Sequence, residues 1–137
     1  MNASRLHTWV RASFLFGVVY FLVGRGFSLP TDHVQVWRLA AWIVSGAAYA
    51  AHIWYEHVRL RHSPRSISLH VALGVAIGAF ALAVAGALHS LMITSAISPL
   101  WLLALIAWPV VTAIPAFLVA LAAGVVLAHR SRSANEE

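Results

Sequence analysis

The chain contains no cysteine, which removes disulfides, thiolate metal sites and thiol redox chemistry. It contains no lysine either, so all nine basic residues are arginine. Charge of either sign is scarce, at 9% of the residues, against roughly a quarter in soluble domains. Acids are scarcer still, at four. A water-soluble domain of this length leaves much of its surface wet and needs charge to cover it. That surface cannot be built from this composition.

What is present in excess is hydrocarbon. Hydrophobic residues make up 61% of the 137, and lipid is the solvent that fits them. The expected class is an all-α integral membrane protein in a single domain spanning residues 1–137. The net charge of +5 does not point to nucleic acid, because the arginines flank apolar runs. They fit the bilayer as partner, orienting helices and meeting anionic headgroups. The all-arginine, alanine-rich usage fits a bacterial genome of high GC content, so the expected location is the bacterial inner membrane, crossed several times.

A spanning helix needs about 20 apolar residues, and four segments approach this. The first runs over about 9–29, with Arg11 and Arg25 around a short uncharged middle; long arginine side chains snorkel to the interfaces. A basic start and a short apolar stretch also suit a signal peptide, but no small-x-small cleavage site follows, so an uncleaved anchor is expected. After a loop holding Pro30, Asp32 and His33 comes the second segment, 37–57. Arg59, Arg61, His62 and Arg65 make a basic loop. Ser63-Pro64 then reads as an N-cap and a first-turn proline for the third segment, 66–93. Its uncharged run from Val71 to Leu88 gives roughly 27 Å of helix, close to the hydrocarbon thickness. The fourth segment, 100–128, contains Pro109 and Pro115, which predict a kink, and Thr112, whose hydroxyl is placed to serve the carbonyls the prolines free. A polar tail, 129–137, is expected to be disordered.

Four spans form a bundle and put Arg5, Arg11, Arg59, Arg61, Arg65, Arg130 and Arg132 on one side, and Arg25 and Arg38 on the other. The positive-inside rule then predicts both termini in the cytoplasm. Trp9, Trp37, Trp54 and Trp101 fall near helix ends, where indoles favour the interface, whereas Trp42 and Trp108 lie deeper and are expected to pack within the bundle.

The second segment carries the chemistry. Arg38, Trp42, Ser45, Tyr49, His52, Glu56 and Arg59 follow one another at alternating spacings of four and three, which draws one stripe along a helix. A polar seam of Ser45, Tyr49, His52 and Glu56 should therefore face other helices or a wet cavity. In the third segment Gly74 and Gly78 form a GxxxG that admits a close neighbour or a flat cofactor. Ser13, Gly17, Tyr20 and Gly24 give the first segment a similar inward face.

His52 and His70 should sit at similar depth, on helices joined by one short loop. Two facing imidazoles can bind haem b as a cofactor; His52, Glu56 and His70 can instead form a metal site; neutral histidine also relays protons. Arg59 stands three residues after Glu56 and offers it a simpler partner. The pair has some likeness to the histidines of small b-type cytochrome anchors, which would imply haem, though a set of four axial histidines at matching depths is absent. The segment 9–29 has no carboxylate, unlike the first helix of the small multidrug exporters.

No catalytic residue is assigned. The leading expectation is a small structural or accessory membrane protein, as a homo-oligomer or as a subunit beside a membrane partner. The alternatives are a channel or transporter component using the seam on the second helix, and a haem or metal protein using His52 and His70.

Overall fold

The computed structural model describes residues 3–27, 32–60, 63–96 and 98–133. Four helices account for nearly all of them: α1 (Ala3–Gly26), α2 (Val34–Val58), α3 (Pro64–Thr94) and α4 (Pro99–Ser133). No strand occurs among the described residues. Pro30, Arg61, His62 and the last four residues of the tail lie outside them.

Local chemistry sets the helix ends. Ser63 is extended (φ −65°, ψ 155°), its hydroxyl accepts from the Ser66 amide at 3.4 Å, and Pro64 opens α3. A proline there costs nothing, because its missing N–H has no partner in the first turn. Ser95 closes α3 in the left-handed conformation (φ 54°), its amide donating to the Leu91 carbonyl at 2.9 Å. His33 precedes α2 in the same conformation (φ 53°) without a side-chain cap.

Two sequence expectations change in α4. The helix runs on to Ser133, so the first part of the polar tail is helical; nothing in His129, Arg130 or the serines breaks a helix already formed. The Thr112 hydroxyl donates to the carbonyls of Trp108 and Pro109, at 2.9 and 3.1 Å. It therefore bonds back along its own turn and does not reach the carbonyls of Leu105 and Val111, which the prolines leave unserved.

α3 is the centre of the packing. It lies against α4 along its length and against α1, while α2 touches α1, α3 and α4 sparsely, and α1 and α4 do not meet among the described residues. Small residues explain the close pairs. A Cβ at Gly78 would stand 2.7 Å from the Tyr20 Cβ and 2.9 Å from the Gly17 carbonyl, and one at Gly17 would stand 2.7 Å from Ile77. The GxxxG of α3 is thus filled by the backbone of α1, leaving no slot for a flat cofactor there. On the other side Trp101 lies over Gly86, and Gly124 meets Pro64, so α3 and α4 run antiparallel with contacts at both ends.

The buried core lies at the end where α2 leads into α3. Ile53, Ile67, Val71 and Ala120 form it, with Tyr49, Ala123 and Leu127 packed around them. Toward the other end α2 parts from its neighbours. Trp42 is 80% exposed and Trp108 is 52% exposed, contrary to the expectation that these two pack inside. The spacing of α2 selects a face correctly, but at the level of Trp42 no helix stands close enough to cover it.

α3 and α4 are each long and apolar enough to cross a membrane, over Pro64–Thr94 and Pro99–Arg130. α1 and α2 carry more polar side chains, Arg11 and Arg25 in one and Arg38, His52 and Glu56 in the other.

Candidate functional site

Of the four acids in the chain, Glu56 alone lies within a helix among the described residues. It is fully buried, two residues before the end of α2, and its Oε2 lies 2.9 Å from Nδ1 of His70 on α3. One turn earlier on α2, His52 is also fully buried, and its Nε2 lies 4.0 Å from the other carboxylate oxygen. The carboxylate thus bonds the His70 imidazole across the helices and lies near that of His52 without a hydrogen bond to it. It turns to α3 and not to Arg59, which is exposed. Two antiparallel helices joined by a short loop place these residues at one level, which is the relation the loop length implies.

α1 builds the rest of the site. Trp9 stacks flat on His70, with centroids 4.4 Å apart and planes at 4°, and Phe16 stacks flat on His52 at 4.0 Å and 8°. The Ser13 hydroxyl donates to the His70 carbonyl at 3.1 Å, and Ser13 is itself buried. Gly74 makes the room: a Cβ there would lie 3.0 Å from Cε1 of His52 and 3.1 Å from the Ser13 carbonyl. Trp9, Ser13 and Phe16 recur at four and three residues, so they share one face of α1. That spacing was available in the sequence, but it does not say which ring each aromatic side chain covers.

The seam is divided. Tyr49, His52 and Glu56 turn into the bundle, and the Tyr49 hydroxyl donates to the Ala116 carbonyl of α4. Ser45 is half-buried, whereas Arg38, Trp42 and Arg59 are exposed. Both nitrogens of His52 are buried without a hydrogen bond among the described residues. His33 with Asp32, and His89, are exposed, away from the cluster.

His52, Glu56 and His70 are together, but not as a donor set converging on one point. Among the described residues no group of three or more His, Cys, Asp or Glu is arranged to hold a metal ion. The arrangement forms an interhelical polar tie between α2 and α3.

A second feature lies deeper in the bundle. An apolar cavity of about 450 Å³ opens where α2 parts from the rest, lined from all four helices by residues including Tyr20, Ser45, Gly46, Tyr49 and Trp108. The seam therefore leads from this cavity wall, at Ser45 and Tyr49, to the buried cluster at His52 and Glu56.

Comparison of the chain with family models, with curated proteins and with solved structures yields no match.

Proposed function

We propose that the chain is a four-span inner-membrane protein of structural or accessory kind, with both termini and the loop around Arg59–Arg65 in the cytoplasm. The apolar window of α4 is only 11% buried. A soluble core helix of that composition would be mostly covered, whereas lipid accepts it as it is. The arginine asymmetry supplies the orientation. α1 and α2 complete the bundle as less apolar spans, their polar groups turned to protein or snorkelling to the interfaces.

The observation that carries the accessory reading is the Glu56–His70 contact. It joins α2 to α3 beside the small core of Ile53, Ile67 and Val71, at the one end where α2 is held, so the polar cluster serves as the latch of a helix that is loosely packed along the rest of its length. Interhelical polar contacts in membranes average about 0.6 kcal/mol, and a buried polar group stripped of its partner costs about 1–3 kcal/mol. The test is Glu56→Ala in the full chain, read by folded yield in mild detergent and by oligomeric state. Loss of both supports the latch.

A channel or transporter component is the second reading. It is favoured by the run of Tyr49, His52 and Glu56 from the cavity wall to the buried end. Buried ionisable groups in a membrane mark such paths. A Glu56→Gln protein that stays folded and assembled but loses proton or solute flux in liposomes supports this second reading against the first.

A further inference from the structure

An open groove of about 460 Å³ runs between α1 and α2, and its lining changes character along its length. Thr8, Arg11 and Tyr55 stand at one end. Further along α1, Leu15 and Val19 form an exposed apolar wall, with the half-buried Phe16 beside them.

The polar end holds a cation that no acid answers. Arg11 is exposed, and its guanidinium forms no ion pair among the described residues. Glu56 is buried against His70, and Asp32 lies at the opposite end of both helices. The Tyr55 hydroxyl likewise makes no hydrogen bond among the described residues. A guanidinium fork and a phenol lining one groove offer several donors to a single phosphate.

Depth sets what else the ligand must carry, and this step rests on the four-span reading. Trp9 stacks on His70, and Ser13 bonds its carbonyl, so Arg11, between them on α1, lies at the level of His70. His70 immediately precedes the uncharged run Val71–Leu88, whose length matches the hydrocarbon. Arg11 then stands at the headgroup boundary. From Thr8 to Val19 the helix advances roughly 17 Å, against roughly 15 Å for one leaflet of hydrocarbon. A cation at the headgroups with an apolar track below it is the pattern that a phospholipid matches.

Charge selects among phospholipids. Arg59 and Arg65 are exposed at the same end of the bundle. A zwitterionic headgroup would bring its own cation among these arginines, whereas an anionic one would not. We propose that the groove binds one anionic phospholipid of the cytoplasmic leaflet, with its phosphate on Arg11 and Tyr55 and an acyl chain along Leu15, Phe16 and Val19.

The test titrates the purified full chain, in a nonionic detergent, with dioleoylphosphatidylglycerol. It is read by native mass spectrometry and by the rise in Tm. Dioleoylphosphatidylcholine and soluble glycerol 3-phosphate serve as comparators. The expected result is saturation at one phosphatidylglycerol per chain, at least about fivefold weaker binding of phosphatidylcholine, and no binding of glycerol 3-phosphate. Arg11→Gln should weaken phosphatidylglycerol about fivefold, the worth of one arginine at a charged surface, and bring the two lipids closer together. Leu15→Trp should fill the track and weaken both lipids with unchanged circular dichroism. Arg38→Gln, at the other end of α2, should leave binding as it was.

Uptake of many lipids without saturation, or an equal loss on Arg38→Gln, assigns the signal to the general lipid shell and overturns the site. Equal affinity for the two lipids, or no effect of Arg11→Gln, overturns the charge assignment. Binding that Leu15→Trp leaves unchanged overturns the acyl track. Glycerol 3-phosphate bound as tightly as the lipid makes this a soluble-anion site and overturns the proposal. Reporter fusions read the spans separately. Four spans with no saturable phosphatidylglycerol reject the groove ligand alone, whereas saturable binding in a chain with another topology rejects the spanning reading and supports the Arg11 contact.

Discussion

Glu56 on α2 and His70 on α3 meet at 2.9 Å beneath the flat face of Trp9. Three helices therefore converge on one contact, beside the core that Ile53 of α2 forms with Ile67 and Val71 of α3. Removing the carboxylate should be costly. Glu56→Ala is expected to destabilise the folded state by about 1–3 kcal/mol, with Glu56→Gln losing less because an amide still hydrogen-bonds. Unfolding in a mixed-micelle denaturant titration measures both, and equal stability of Glu56→Ala and wild type would remove the latch.

His52 behaves differently. Its nitrogens have no hydrogen bond among the described residues, and its ring is sandwiched by Phe16 and the bare backbone at Gly74. His52→Leu is expected to keep the fold and to change stability by less than about 1.5 kcal/mol, since it exchanges an unbonded ring for an apolar side chain of similar reach. Folded yield and thermal unfolding check this; collapse of the yield would show that the imidazole is bonded in the membrane.

Gly78 and Gly46 should respond in opposite ways to the same added methyl. At Gly78 a Cβ enters the contact between α1 and α3, so Gly78→Ala is expected to cost about 1–3 kcal/mol. At Gly46 nothing lies within 4 Å, and Gly46→Ala should be neutral or slightly stabilising. A paired Tm measurement compares them directly; a greater loss at Gly46 would mean that α2 sits closer to its neighbours than described.

Labelling of introduced cysteines with a lipid-soluble maleimide should grade along α2. Leu39→Cys and Ile43→Cys are expected to react readily, Ser45→Cys more slowly and His52→Cys least, following their exposure. Tyr49→Phe, which removes the bond to the Ala116 carbonyl, should speed the reaction at Ser45→Cys by loosening α2. A uniform rate along the helix would contradict the inward turn of its second half.

Topology is read by fusions. Reporters after residue 137 and within 28–33 are expected on opposite sides of the membrane, the C-terminal one in the cytoplasm. The same side for both would reject four spans.

Much of this architecture is legible in the residue order. Ser63 and Pro64 mark the start of α3 because capping and proline placement are local effects. The glycines of α1 and α3 mark their contact because only small residues admit a backbone so close. His52 and His70 fall at one level because a short loop forces it. The division of the seam is not legible in this way. Spacing places Trp42 and Glu56 on one face, yet whether a helix stands opposite each depends on how far α2 leans from α3, which no pattern within α2 records. Nor does it reveal that Phe16 and Trp9 cover the imidazoles, since an aromatic side chain on an inward face has several rings it can meet.

The antiparallel pairing of α3 with α4 also bears on how the chain enters a bilayer. Those two helices are the ones apolar enough to cross by themselves, and Trp101 over Gly86 and Pro64 against Gly124 clasp them at both ends. α1 and α2 emerge from the ribosome first, but they carry arginines, histidines and the glutamate Glu56, which hydrocarbon rejects. In a four-span chain, the first half therefore waits on the second: it is retained in lipid only when α3 arrives to present His70 and its glycines. Truncation after residue 60 would then leave a nascent segment recognised by quality-control proteases, whereas the α3–α4 hairpin, made alone, would still integrate.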